Sequence, residues 1–156
     1  SGRLKLVKTK IDLLAELGEA VMMYTERAKR EGIALIYDEP DVMAPVFGDK
    51  NRLRQVFVNI LDNALKYSDA GGSITVVVLR QENNAVITIQ DTGIGIAPAD
   101  LPKIKTRFYK ANATRRGSGI GLAVADEIVT MHGGSLELDS REGVGTRVTI
   151  TLPLNL

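Results

Sequence analysis

The sequence predicts a two-layer α/β sandwich, with a mixed, mostly antiparallel sheet covered on one face by three helices. Three observations carry that expectation. Two segments place apolar residues at three- and four-residue steps, and a third is apolar on most sides. Short β-branched runs, bounded by glycine, asparagine or charged turns, lie between and after them. The strands are mostly neighbours in sequence, which leaves the helices able to cover one face.

Ser1-Gly2 reads as a tag remnant, and 11–156 as a single domain. From about Ile11 to Glu31, the residues Ile11, Leu14, Leu17, Val21, Tyr24 and Ala28 form a helical stripe that Gly32 stops. Ile33 to Tyr37 is a short strand, and the loop Pro40 to Phe47 holds a second one near Val46. Asp49 caps the next helix, Asn51 to Tyr67, whose core stripe is Leu53, Val56, Phe57, Ile60, Leu61, Ala64 and Leu65. After the Ala70-Gly71-Gly72 turn, Ser73 to Leu79 and Ala85 to Gln90 make an antiparallel hairpin. Pro98 opens a short helix through about Ile104. Residues 105–118 lose apolar periodicity and read as a lid. Ser118 to Met131 is a buried helix ended by Gly133-Gly134, and strands Ser135 to Asp139 and Thr146 to Leu152 close the chain.

A chain of 156 residues, 44% hydrophobic and 25% charged, is long enough to keep a core. No apolar run approaches the length of a membrane span, so no membrane contact is expected. With 20 basic against 19 acidic residues there is no global field to gather nucleic acid. The absence of cysteine excludes disulfides, zinc-thiolate sites and a cysteine nucleophile, and fits a cytoplasmic location. His132, the only histidine, stands at a helix end and reads as a capping or packing residue.

The chemistry concentrates in three ordered segments: Asn59 to Tyr67, Asp91 to Ile96 and Gly117 to Leu122. At about 100° per residue, Arg52, Gln55, Asn59, Asn63 and Lys66 share a stripe away from the apolar face. A solvated face explains Arg52, Gln55 and Lys66. It explains two asparagines one turn apart less well, because Asn competes for backbone hydrogen bonds inside a helix. A carboxamide oxygen suits Mg²⁺ when phosphates and water complete its shell. Asp91 follows a β run and precedes Gly93 and Gly95; it is either a turn aspartate or an acceptor for an adenine amine, with Ile94 and Ile96 as apolar walls. Gly117, Gly119 and Gly121 stand before an apolar helix, where backbone amides can approach an anion. Between Leu101 and Arg116 there are bases at Lys103, Lys105, Arg107, Lys110, Arg115 and Arg116 and no acid, as expected of a lid over polyphosphate. The set reads as an ATP site.

In that order, the motifs resemble those of the ATP-binding catalytic domain of bacterial sensor histidine kinases, within the GHKL group that includes DNA gyrase and the heat-shock chaperone ATPases. Asn59 to Tyr67 is similar to the asparagine box, Asp91 to Gly95 to the first glycine box, Arg107-Phe108-Tyr109-Lys110 to the phenylalanine box, and Gly117 to Leu122 to the second glycine box. Gly145-Thr146 through Pro153 resembles the closing strand. The resemblance implies a Bergerat-type fold that binds ATP with Mg²⁺ on Asn63. It implies that Asp91 reads adenine, that Lys66, Tyr67 and Lys110 lie along the nucleotide, and that Lys66, Lys110, Arg115 and Arg116 position phosphate. Asn59, Gly93, Gly95, Ile96, Gly117, Gly119, Gly121, Leu122 and Thr146 complete the implied nucleotide contacts. No residue has an implied proton-transfer role.

In the gyrase and chaperone branch a glutamate matching Asn59 activates water, a proton transfer no carboxamide can perform, so the resemblance favours transfer to another nucleophile. The implied acceptor is a histidine on a separate dimerisation domain, with residues 1–10 as the end of the linker from it and a parent protein able to sit in the inner membrane; from that histidine, phosphate passes to a response-regulator receiver domain. Lys105 and Lys110 depart from the Phe and Arg usual at those lid positions. An anti-sigma-factor-type serine kinase and a non-catalytic nucleotide-binding module remain alternatives.

Overall fold

In the computed structural model, which describes residues 5–95, 97–104 and 119–156, five strands form one sheet and two more form a separate ribbon. The elements run β1 (Thr9–Asp12), α1 (Leu13–Arg30), β2 (Ala34–Tyr37), β3 (Pro45–Gly48), α2 (Lys50–Lys66), β4 (Ser73–Gln81), β5 (Asn84–Asp91), α3 (Leu101–Ile104), α4 (Gly119–Met131), β6 (Ser135–Arg141) and β7 (Gly145–Pro153). The main sheet has the order β2-β4-β5-β7-β6, with β2 parallel to β4 and every other pair antiparallel. Strand alternation decides which face is covered. Ile74, Val76 and Val78 of β4, Ala85, Ile87 and Ile89 of β5, and Val148, Ile150 and Leu152 of β7 are buried, whereas Val77 and Leu79 point to solvent. The buried face meets the apolar stripes of α1, α2 and α4.

α2 is the central element. Its stripe of Leu53, Val56, Phe57, Ile60, Leu61, Ala64 and Leu65 is buried throughout, and each side chain there larger than alanine contributes about 1.5–3 kcal/mol of burial. The Asp49 carboxylate caps its first turn by accepting the Arg52 N–H at 3.1 Å. α4 packs along α2 and ends where the Gly134 N–H donates to the Val129 carbonyl and the Gly133 N–H to that of Thr130, both at 3.0 Å, a Schellman closure.

Two expected boundaries are corrected. The first helix begins at Leu13, because Ile11 and Asp12 belong to β1, which pairs antiparallel with β3, and the Asp12 carboxylate caps α1 instead. The helix expected from Pro98 begins at Leu101, after turns in which the Asp100 N–H donates to the Ala97 carbonyl and the Lys103 N–H to that of Asp100. The lid expectation over 105–118 lies outside the described residues, as does Ile96.

Candidate functional site

The end of α2 and the turn after β5 are joined through one residue. The Tyr67 N–H donates to the Asn63 carbonyl at 3.1 Å, and the Tyr67 carbonyl accepts the Ile94 N–H at 3.1 Å. The asparagine face and the Asp91 turn are therefore held in fixed relation by backbone alone. Gly93 is required at that junction, since a Cβ there would overlap the Tyr67 carbonyl oxygen.

Asp91 is the last residue of β5, paired with Thr146 of β7, and its side chain is on the helix-covered face. Its Oδ1 accepts the Gly93 N–H at 2.8 Å and the Thr146 N–H at 3.2 Å, while Oδ2 has no hydrogen-bond partner among the described residues. Burial raises the Asp91 pKa above its ordinary value, opposed by the two amides, which favour the carboxylate. Gly145, at φ +151°, allows β7 to come this close, because a Cβ there would overlap the Asp91 carbonyl oxygen. The Ser140 hydroxyl donates to the Gly145 carbonyl at 3.0 Å and lies 2.8 Å from the Thr146 hydroxyl. Gly95, at φ +74°, lies against the Arg141 carbonyl, and the Gly143 N–H donates to the Ile94 carbonyl at 2.6 Å.

On α2, Asn59, Asn63, Lys66 and Tyr67 are all half-buried. The Asn63 carboxamide has no hydrogen-bond partner among the described residues, so its oxygen is available to a hard cation. Among those residues no cluster of three or more histidine, aspartate or glutamate side chains forms a metal cage. A divalent ion here would need ligands from a bound anion. The Lys66 ammonium is 3.0 Å from Asp62 Oδ2, on the flank facing α1. Gly119 and Gly121 lie in the first turn of α4, and Leu122 is buried there. Lys110, Arg115, Arg116 and Gly117 lie outside the described residues.

Sequence reasoning missed three features. The Asp62 link to Arg27 joins residues 35 apart, and the Ser140–Thr146 hydroxyl pair depends on strand register; neither leaves a local signal. The Ser68 hydroxyl is buried directly after Tyr67 without a partner among the described residues, where a serine reads as an ordinary turn residue.

The likeness to known proteins agrees with this geometry. Residues 48–156 match the family described as "Histidine kinase-, DNA gyrase B-, and HSP90-like ATPase". The chain is 41% identical over 134 residues to the sensor histidine kinase WalK of Bacillus subtilis, covering 82% of this chain and 22% of WalK. It is 34% identical over 157 residues to the signal transduction histidine-protein kinase BaeS of Escherichia coli, covering 98% and 33%. The chain thus spans a third or less of the length of these relatives. The mycobacterial sensor histidine kinase MprB superposes with a TM-score of 0.81 at 28% identity, covering 96% of this chain and 99% of that one. The structure of full-length ShkA in complex with AMPPNP has a TM-score of 0.83 at 23% identity, covering 99% and 32%, a likeness of fold. With a family match over its last 109 residues and the fold to go with it, the chain belongs to the histidine kinase-, DNA gyrase B- and HSP90-like ATPases.

Proposed function

We propose that this domain binds Mg-ATP and presents its γ-phosphate to a histidine on a separate dimerisation domain, from which the phosphate passes to a response-regulator receiver domain. The observation that carries the reading is the state of Asp91. One carboxylate oxygen is fixed by two amides and the other has no partner among the described residues, as an acceptor for an exocyclic amine requires. Asn63 and the phosphates would hold the magnesium ion, whose chemistry is to neutralise charge that builds up on phosphoryl oxygens. Asn59 and Asn63 orient polar groups along the phosphates without taking a proton, so this chain contributes position and charge. Lys66 supplies a cation from α2, and Lys110, Arg115 and Arg116 supply more from the lid. The AMPPNP named in the ShkA complex is consistent with a nucleotide in this fold. The reading places β1 just after a linker from the dimerisation domain and the fragment in the cytoplasm; among the described residues no helix is long and apolar enough to cross a membrane.

The test is calorimetric titration with a non-hydrolysable ATP analogue and Mg²⁺. Asp91→Asn places an amide donor where an acceptor is needed and should weaken binding at least tenfold; unchanged affinity would defeat the adenine assignment. The same variant should melt higher than the parent without nucleotide. Burial holds the folded-state Asp91 pKa above its unfolded value, so stability falls as pH rises through the folded pKa, and the charged form is a net cost at neutral pH. Labelled ATP with a dimerisation fragment supplied in trans then reads the chemistry: an acid-labile product indicates phosphohistidine, an acid-stable one a serine kinase, and none a nucleotide-sensing module.

A further inference from the structure

Asp62 stands beside Asn63 in sequence, yet no step above uses it. Its carboxylate is shared between two helices: Oδ2 accepts from the Lys66 ammonium at 3.0 Å, and Oδ1 from the Arg27 guanidinium of α1 at 2.9 Å. Arg27 is also paired with Glu31 at 2.7 Å and lies 5.9 Å from the Tyr24 ring centroid. The Asp62 and Lys66 side chains are 30% and 32% exposed, so their pair can part without a buried charge being left behind.

We infer that Asp62 is an internal counter-ion that competes with the phosphates of a bound nucleotide for Lys66, and that Arg27 relieves the competition by holding the same carboxylate from α1. The inference rests on the nucleotide reading given above. A polyphosphate beside Asn63 draws the ammonium around α2 to the Asn63 side, and Lys66 must then leave Asp62. Arg27 keeps that carboxylate paired when Lys66 goes, which makes the exchange easier. Neutralising Asp62 removes both the competitor and a negative charge near the phosphates, two changes that act in one direction. Removing Arg27 acts in the other, because Asp62 is then left with Lys66 as its partner on α2. α1, through Arg27, therefore adjusts affinity for the phosphate end of the ligand and not for the base.

The experiment titrates the full chain with the ATP analogue plus Mg²⁺ and, separately, with adenosine. Asp62→Asn should tighten analogue binding about two- to fivefold at low salt, as expected for a half-exposed pair. Arg27→Gln should weaken it by a similar factor, and the double variant should bind as Asp62→Asn does. Adenosine affinity should not move, and the differences should shrink in high salt. Merely structural damage would weaken binding in both variants and for both ligands, and that pattern would overturn the inference. So would analogue binding unaltered by Asp62→Asn. A parent chain that binds neither ligand would instead overturn the nucleotide reading.

Discussion

Around Asp91 the partners are backbone atoms, with the amides of Gly93 and Thr146 on one oxygen and glycines where the neighbouring strand and turn approach. Along α2 the partners are long side chains, with Lys66 and Arg27 sharing the Asp62 carboxylate at half-exposed positions. Backbone partners cannot change rotamer, so the first region offers one fixed acceptor. Side-chain pairs of this exposure exchange at little cost, so the second offers charge that can follow a ligand. A base has one hydrogen-bonding edge to recognise. A polyphosphate has many equivalent oxygens and tolerates a looser hold.

The most damaging way to break the fixed half is Gly145→Ala. The added methyl would overlap the Asp91 carbonyl oxygen, and φ of +151° is itself unfavourable for alanine. Urea unfolding should show a loss of about 2–4 kcal/mol, from overpacking and backbone strain together, and adenosine binding should fall more than tenfold. Gly143→Ala in the same turn is the matched control. Gly143 also has a positive φ, +79°, but a Cβ there meets nothing within 4 Å, so only about 1 kcal/mol of left-handed strain is expected. Equal costs for the two would mean that close approach to Asp91 is not what Gly145 provides.

The contrast also explains what the sequence revealed. α2, its Asp49 cap, the β4–β5 hairpin and the Gly133-Gly134 stop all arise from residues close in the chain, and periodicity and turn chemistry expose them. The ribbon strand β1 does not. Ile11 continues the three-residue step to Leu14, so it reads as helix until Pro45–Gly48 supplies the pairing partner. Within the candidate site, Asn59, Asn63 and Asp91 stand out because those residue types are poorly suited to helix interiors and buried strand ends. Asp62, by contrast, reads as an ordinary helix-surface acid. Its meaning depends on Arg27, which sequence places 35 positions away and the fold brings to 2.9 Å.

A smaller effect tests whether the fixed half extends to the start of α2. The Asp49 N–H donates to His132 Nε2 at 2.9 Å, and His132 Nδ1 lies 2.8 Å from the Ile128 carbonyl, so the neutral imidazole carries its proton on Nδ1. Burial lowers the His132 pKa; nearby Lys8 acts the same way, while the Ile128 carbonyl and Asp49 oppose it. A depressed folded pKa contributes stability that is present above the unfolded value, about 6.5, and lost as pH falls toward the folded one. Protonation at Nε2 also ends its acceptance from Asp49. Between about pH 7.5 and pH 5.5 the parent should lose on the order of 1 kcal/mol, with a matching drop in melting temperature. His132→Gln should flatten that part of the profile. An unchanged slope would place the acid sensitivity elsewhere.

The smallest expected effect is the sharpest check on the side from which the ligand is read. Arg147 follows Thr146 directly and pairs in register with Gln90, the residue before Asp91. It is as near to the site in sequence as a residue can be. Alternation nevertheless turns it to the other face of the sheet, where it forms an ion pair with Asp139 at 3.1 Å, the two side chains 51% and 75% exposed. A pair so exposed is worth no more than about 0.5 kcal/mol, and a cation on that face has no path to a nucleotide lodged, as proposed, between β5 and α2. Arg147→Gln should therefore leave unfolding free energy within about 0.5 kcal/mol of the parent and affinity for the ATP analogue within about twofold in the same titration. A tenfold loss would mean that phosphate lies over the open face of the sheet, and the assignment of Asp91 as the base acceptor from the helix side would fall with it.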